Sequence, residues 1–311
     1  MASANIRLLV DSCCDLPASV LQDYGLVVIP SRLKFQDGSE FLDERINDEM
    51  ILACMRQHDF EKQAQGVTPM GLDEMTQRLR AAVDEEQHQN AFVLTMTRQY
   101  SENYDAIESA VARINHKIKT NFRVLTSRVL FAGQGVISLE AARLVQEQRT
   151  AASLRERITR MADSVYTYAI PESLRYVRKR GKERGDENNR VPWLLAMLGD
   201  SGDRTPIVRF FQDRNEKVGE IHKSKEVAIE RVVSEVESLI LNGKLLSSVV
   251  VVSYAGELAD LNQSQAIVRL RRVVQGSRYQ LIETVMGMGG VYHLGPGSLT
   301  IGFSAMPHSM E

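Results

Sequence analysis

Short apolar runs bounded by polar residues recur through the first half of the chain at 6–10, 26–29, 91–96 and 122–126. Each has the length and aliphatic content of a buried strand. Between them the apolar positions change to a helical period. Leu72, Met75, Leu79, Ala82 and Val83 recur at spacings of three and four, which predicts an amphipathic helix over 71–88. Tyr104, Ile107, Val111 and Ile114 share a face over 101–118, and Val136, Leu139, Ala142 and Leu144 do so over 135–147. Asp15 and Pro17 are placed to cap and open a further helix at about 17–24. Strands alternating with helices predict a parallel, Rossmann-like sheet with helices on both faces.

The second half has a different rhythm. Tyr166–Ile170 and Ile207–Phe211 have the pattern of strands, and Val249–Ser253 that of a fully buried one. Ile229, Val232, Val233, Val236, Leu239 and Ile240 define a helix over 227–242, and a second helix is predicted over 257–274. Near the end, two apolar runs flank Gly295-Pro296-Gly297, whose composition suits a tight reversal. Both runs are predicted as strands, with His293 held at the end of the first. The apolar pattern lapses at Glu147–Thr150, so a boundary is expected near 150–165. The expected organisation is an N-terminal α/β domain at 1–160 and a C-terminal α/β domain at 161–311. The charged stretch from Arg178 to Arg190 is expected to be a mobile loop.

Composition narrows the function classes. The chain's 311 residues can support two cores, and 43% apolar with 25% charged residues is ordinary for a soluble globular protein. A net charge of −2 gives no broad surface for nucleic acid. Three cysteines argue against a disulfide framework and fit a reducing compartment. The apolar run before Asp11 is too brief for a signal peptide, and none approaches the ~18 residues of a membrane span. A cytoplasmic location and no integral membrane segment are therefore expected.

Polar groups gain meaning where they follow strands, because ligands of parallel α/β sheets bind there. Asp11 and Ser12 follow the first strand, and Thr97 and Ser101 follow the 91–96 strand. Ser127 follows the 122–126 strand, and Thr68 precedes the helix at 71–88. The set is rich in hydroxyls and helix N-termini and poor in cations. It suits a carboxylate held by neutral donors and helix dipoles, each terminus contributing ~0.3–1 kcal/mol. Taken singly, each hydroxyl also fits an ordinary helix cap. No metal-ligand spacing and no glycine-rich phosphate loop is visible, so neither a metal nor a cofactor is expected. Cys13 has no basic neighbour in sequence to activate it. An alternative is a serine hydrolase with Ser101 as nucleophile, His293 as base and Asp11 as orienting acid, although the usual nucleophile elbow is missing.

Asp11-Ser12-Cys13-Cys14-Asp15-Leu16-Pro17 after the first strand and His293-Leu294-Gly295-Pro296-Gly297-Ser298 near the end resemble the DegV family. Val28-Ile29-Pro30, Phe35-Gln36-Asp37-Gly38, Asp43, Ser101 with Tyr104, and Ser127 with Gly133 and Gly135 carry the likeness through the middle. The resemblance implies a two-domain α/β protein that is not itself an enzyme. It would bind a long-chain fatty acid with the carboxylate near the domain interface and present it to a separate fatty acid kinase. It implies Ser101, His293 and, if the loop register shifts, Thr68 as carboxylate ligands, with Asp11, Ser12, Thr97 and Ser127 in support. Lys182, His222 and Lys223 fall in segments that it links to partner contact.

The chain departs from the family pattern at the head-group positions. Gly66 and Val67 stand where Thr and Ser are expected, and Glu102 and Asn103 where Gly and Thr are. Arg180 stands at a glycine position and Lys182 at an arginine position, which keeps the charge but loses the planar fork. Glu102 is expected to turn outward. Two carboxylates ~4 Å apart at an effective dielectric of ~20 repel by ~4 kcal/mol.

Overall fold

A computed structural model describes residues 5–173, 176 and 205–308, with backbone alone for 215–221. Four parallel strands form the first sheet in the order β2 (Val27–Ile29), β1 (Ile6–Asp11), β6 (Asn90–Thr95), β7 (Asn121–Thr126). Side chains alternate across β1, and its two faces have different partners. Ile6, Leu8 and Val10 pack with α1 (Ala18–Asp23), α6 (Phe131–Gln146) and α7 (Ala151–Ala162). Leu9, Ala91 and Val93 pack on the other face against α4 (Leu72–Ala81) and α5 (Asn103–Ile114). The expected doubly covered parallel sheet is present.

The second sheet is mixed and six-stranded. Its order is β10 (Arg214–His222), β9 (Thr205–Phe211), β8 (Val165–Ile170), β13 (Leu299–Ser304), β11 (Val249–Tyr254), β12 (Gln280–Val285), with β11 and β12 parallel. One face is covered by α8 (Lys225–Leu241) and α9 (Gln265–Gln275). Helix α6 lies on the other face while also touching β1, so it is buried almost all round. Its close approach depends on two glycines. A Cβ on Gly302 would fall 2.2 Å from the Ala132 carbonyl carbon, and one on Gly133 would fall 2.1 Å from Thr167 Oγ1.

A small antiparallel sheet, β4 (Glu40–Leu42), β3 (Arg32–Phe35), β5 (Ala64–Thr68), completes the fold with α2 (Asp48–Gln57) and α3 (Phe60–Gln63). None of these elements was expected from the pattern of short mixed segments. Leu33, Phe35, Ile51, Leu52 and Phe60 join Phe131, Phe210, Met286, Met288, Val291 and Tyr292 in one apolar cluster.

Several expectations are corrected. The run ending at His293 is a helix, α10 (Met288–Leu294), not a strand. Met288, Val291 and Tyr292 are buried at helical spacing while Gly289 and His293 are part-exposed. Gly295 ends the helix with φ 99°, a conformation open to glycine. The segment predicted as one helix over 257–274 is a 3₁₀ turn, Leu258–Gln263, then α9, which Ser264 caps through Ile267 N. The helix predicted over 71–88 stops at Ala81. Asp15 does not cap α1, because Pro17 occupies that cap position and Asp15 turns into the interior. The segment from Arg178 to Arg190, Lys182 included, lies outside the described residues.

Candidate ligand-binding cavity

A cavity of about 330 Å³ opens where β1, β5 and β6 end, where β3 begins, and where α5 and α10 begin or finish. Ser12, Ser31, Thr68, Ser101, Asn103 and His293 line it, together with Glu102 and Gly289. Its apolar lining includes Met96, Phe131 and Tyr292, which belong to the cluster beneath the small sheet. Polar groups therefore sit against an apolar interior. Of the residues singled out from sequence, Ser12, Thr68, Ser101 and His293 are brought together here. Ser101 is half-buried just before α5, and its Oγ accepts from Asn103 N at 3.0 Å. His293 is half-buried in the last turn of α10.

Both ends of α10 are fixed by residues distant in sequence. Asp15 Oδ1 accepts from Gly287 N at 3.0 Å, and Asp43 Oδ2 accepts from Met288 N at 2.8 Å. At the other end the Tyr176 hydroxyl donates to the Val291 and Tyr292 carbonyls at 3.4 and 3.2 Å. The Tyr292 hydroxyl donates to Gln65 O at 3.0 Å, tying the helix to β5. Arg45 lies beside both carboxylates with a fully buried side chain, 3.8 Å from Asp15. It donates to the Leu16 and Val285 carbonyls at 2.9 Å and to Thr284 Oγ1 at 3.1 Å. Burial raises the Asp15 carboxyl, and it raises that of Asp43 to about 6 against the pull of Arg45.

Asp11, Thr97 and Ser127 do not line the cavity. Asp11 is completely buried and accepts from Met96 N at 2.9 Å, Gln134 Nε2 at 2.6 Å and Cys13 N at 3.2 Å. Burial pushes its carboxyl up to about 6. With its oxygens engaged by these donors, it is not arranged to orient His293 as a hydrolase would require. Thr97 donates to Asp213 Oδ1 at 2.7 Å, and Ser127 donates to Val129 O at 3.0 Å. Both hydroxyls join strand ends to neighbouring loops. Cys13 lines the cavity, but burial and the Asp11 and Asp15 carboxylates push its thiol well up, the opposite of activation. His222 ends β10, an edge strand, opposite Thr205, and Lys223 is exposed beside it. Among the described residues no group of His, Cys, Asp and Glu is arranged to hold a metal ion, and no helix is long and apolar enough to cross a membrane.

The family model for uncharacterised proteins of the DegV family matches residues 5–306. The chain belongs to the DegV family. A DegV domain-containing protein of Xanthomonas axonopodis pv. citri is 31% identical over 319 residues, covering 98% of this chain and 99% of that one. Among solved structures, DegV of Bacillus subtilis, a fatty acid binding protein, matches with a TM-score of 0.75 at 15% identity, over 98% of this chain and 100% of its own. A stearic-acid-binding protein from Eubacterium ventriosum also matches with a TM-score of 0.75, at 16% identity over 96% and 98% of the two chains. At these identities the likeness is one of fold.

Two groups of this DegV chain carry structural weight that sequence inspection did not assign. Ser31 and Asn103 complete the polar lining, and Asp15, Asp43 and Arg45 hold α10. The contacts that define them span 72 residues for Asn103 with Ser31 and 245 for Met288 with Asp43. Local pattern carries no signal at such separations.

Proposed function

We propose that the protein binds a long-chain fatty acid, with its carboxylate in the hydroxyl-lined cavity and its tail among the apolar residues beyond Met96, Phe131 and Tyr292. The observation that carries this reading is the convergence of Ser12, Thr68, Ser101 and His293 on one cavity that backs onto an apolar cluster. The DegV structures of the same fold that are described as binding fatty acids support it. Hydroxyls and an imidazole N–H donate to a carboxylate without burying an opposing charge. A tail of ~15 methylenes contributes ~12 kcal/mol of gross burial at ~0.8 each, against an association cost of ~4–15 kcal/mol. The tail therefore supplies most of the affinity and the head group fixes orientation. With the chain divided at 160/161, Ser101 and Thr68 belong to one domain and His293 to the other.

The protein acts as a carrier that presents the carboxylate to a separate fatty acid kinase. Ser101 and His293 are only half-buried and Glu102 is exposed, which leaves the head-group end within reach of a second protein. Among the described residues, His222 and Lys223 are the candidates for that contact. All three cysteines are free, in keeping with a reducing, cytoplasmic setting. Native mass spectrometry of the purified protein, with organic extraction and uptake of added oleate, tests the binding. A bound fatty acid above that of a control protein is expected. Absence of both co-purified and added lipid would overturn the reading.

A further inference from the structure

The cavity's hydroxyls have an unusual bonding state. Ser12 Oγ accepts from Ser31 N at 3.0 Å, Ser31 Oγ accepts from Asn103 Nδ2 at 2.8 Å, and Ser101 Oγ accepts from Asn103 N at 3.0 Å. Each oxygen is thus engaged by an amide, and among the described residues none of the three hydroxyls donates. A serine hydroxyl has one proton to give, and a buried donor left without an acceptor is costly. Ser31 and Asn103 are 5% and 6% exposed and line the cavity, so their polar atoms meet the cavity rather than the outer surface. Each hydroxyl keeps one proton to give, and a carboxylate with two oxygens can accept from these donors.

The position of Ser31 is also informative. In the small sheet, Arg32 pairs with Thr68, Leu33 with Val67 and Lys34 with Gly66. Ser31 therefore lies alongside the loop that follows Thr68, on the wall where Gly66 and Val67 supply no hydroxyl. Asn103, one residue past the exposed Glu102, reaches across to hold it.

We propose that Ser31 donates a hydrogen bond to the ligand's carboxylate in this chain, replacing the hydroxyls absent at 66 and 67, and that Asn103 is the residue that positions it. This rests on the fatty-acid reading and assigns the side chains that read the head group. Oleate and its methyl ester separate head-group recognition from tail burial, since both carry the same tail. Ser31→Ala is expected to weaken oleate binding about tenfold, as loss of a hydrogen bond to a charged group does, and to leave methyl oleate within ~3-fold. Ser31→Thr, which keeps the hydroxyl, is expected to retain the preference for oleate. Asn103→Ala is expected to weaken oleate by a similar factor in the wild-type background and by less than ~2-fold when Ser31 is already alanine. Urea midpoints monitor folding, and Ser31→Cys gives the same comparison at nearly unchanged shape should the alanine variant unfold.

A wild-type protein that binds neither oleate nor its ester would remove both readings. A wild type that binds oleate, with Ser31→Ala showing the same preference over the ester, would remove only the role of Ser31. An Asn103→Ala effect of equal size with and without Ser31 would remove the positioning role.

Discussion

Two polar clusters lie near the strand ends of the first sheet, and they use their hydrogen-bonding capacity in opposite ways. Behind the cavity, Asp15, Asp43 and Arg45 are closed to solvent and turned toward the chain's own backbone at Gly287, Met288, Leu16 and Val285. At the cavity, Ser12, Ser31 and Ser101 accept from amides and keep their protons. The closed cluster joins β12 and α10 to the first half of the chain. The open one can be completed by a ligand. Charge suits the joining role because several strong bonds radiate from one guanidinium, whereas neutral hydroxyls suit recognition of an anion without fixing a counter-charge in the empty state. Substitutions in the first cluster should change stability, and those in the second should change affinity.

The sharpest attempt to break this comparison is Arg45→Met. It leaves Asp15 and Asp43 buried without their cation, a change that costs about 3–5 kcal/mol. Urea denaturation at neutral pH checks it, and a loss below ~1 kcal/mol would show that the cluster does not hold the junction.

Asp11 tests the closed interior through pH. Its folded carboxyl titrates at about 6 because burial disfavours the charge, against an ordinary value of 3.8. The folded state therefore binds the proton more tightly than the unfolded chain does. Its stabilising contribution is complete below the ordinary value and is lost as pH rises through about 6. Asn cannot titrate. The stability of Asp11→Asn relative to wild type should therefore rise by about 2 kcal/mol between pH 4 and pH 7, most of what the displacement carries at ~1.4 kcal/mol for each unit. A difference that stays flat with pH would mean that Asp11 is ionised throughout.

The same contrast explains what could be read from the chain before its structure. The parallel sheet was legible because β6 carries an unbroken apolar run, β1 and β7 are mostly apolar, and their helices repeat at 3.6 residues. The small sheet was not, since β3 alternates over only four residues with Lys34 exposed, and β4 is three residues long. The seven residues of α10 were too few to separate a helix from a strand. At the site, Ser101 and His293 were visible from motif, whereas Ser31, Asn103 and Arg45 acquire their roles through tertiary bonds. Thr97 and Ser127 stand at strand ends as expected, but their hydroxyls turn to Asp213 and to the Val129 carbonyl. Strand-end position identifies candidates; only packing decides which hydroxyls face a ligand.

A smaller effect is expected inside the cavity. Gly289 lines it, and a Cβ there would meet nothing within 4 Å. Gly289→Leu should fill ligand space rather than clash with the chain. Oleate affinity should fall roughly tenfold to a hundredfold, the cost of overpacking a site by ~1–3 kcal/mol, while the urea midpoint stays close to wild type. Unchanged affinity would place the ligand elsewhere and leave the hydroxyl cluster without its role.

Glu102 should produce the smallest change. It stands on the rim at the N-cap of α5, exposed, and makes no side-chain cap bond. An anion at that place is favoured by the helix dipole, and in open water its repulsion toward a nearby carboxylate is strongly reduced. Glycine is accepted at an N-cap almost as well as the polar caps, so removal of the side chain should not unravel α5. Glu102→Gly should therefore shift oleate affinity by less than ~3-fold, well under the ~1.4 kcal/mol of a tenfold change. Titration in low and high salt sharpens the result, because a rim charge that acts through solvent loses its influence over about 10 Å at 0.1 M ionic strength. A gain of tenfold or more that persists in high salt would mean that Glu102 faces the ligand directly. The open cluster would then oppose a simple carboxylate and favour a head group that brings its own donors.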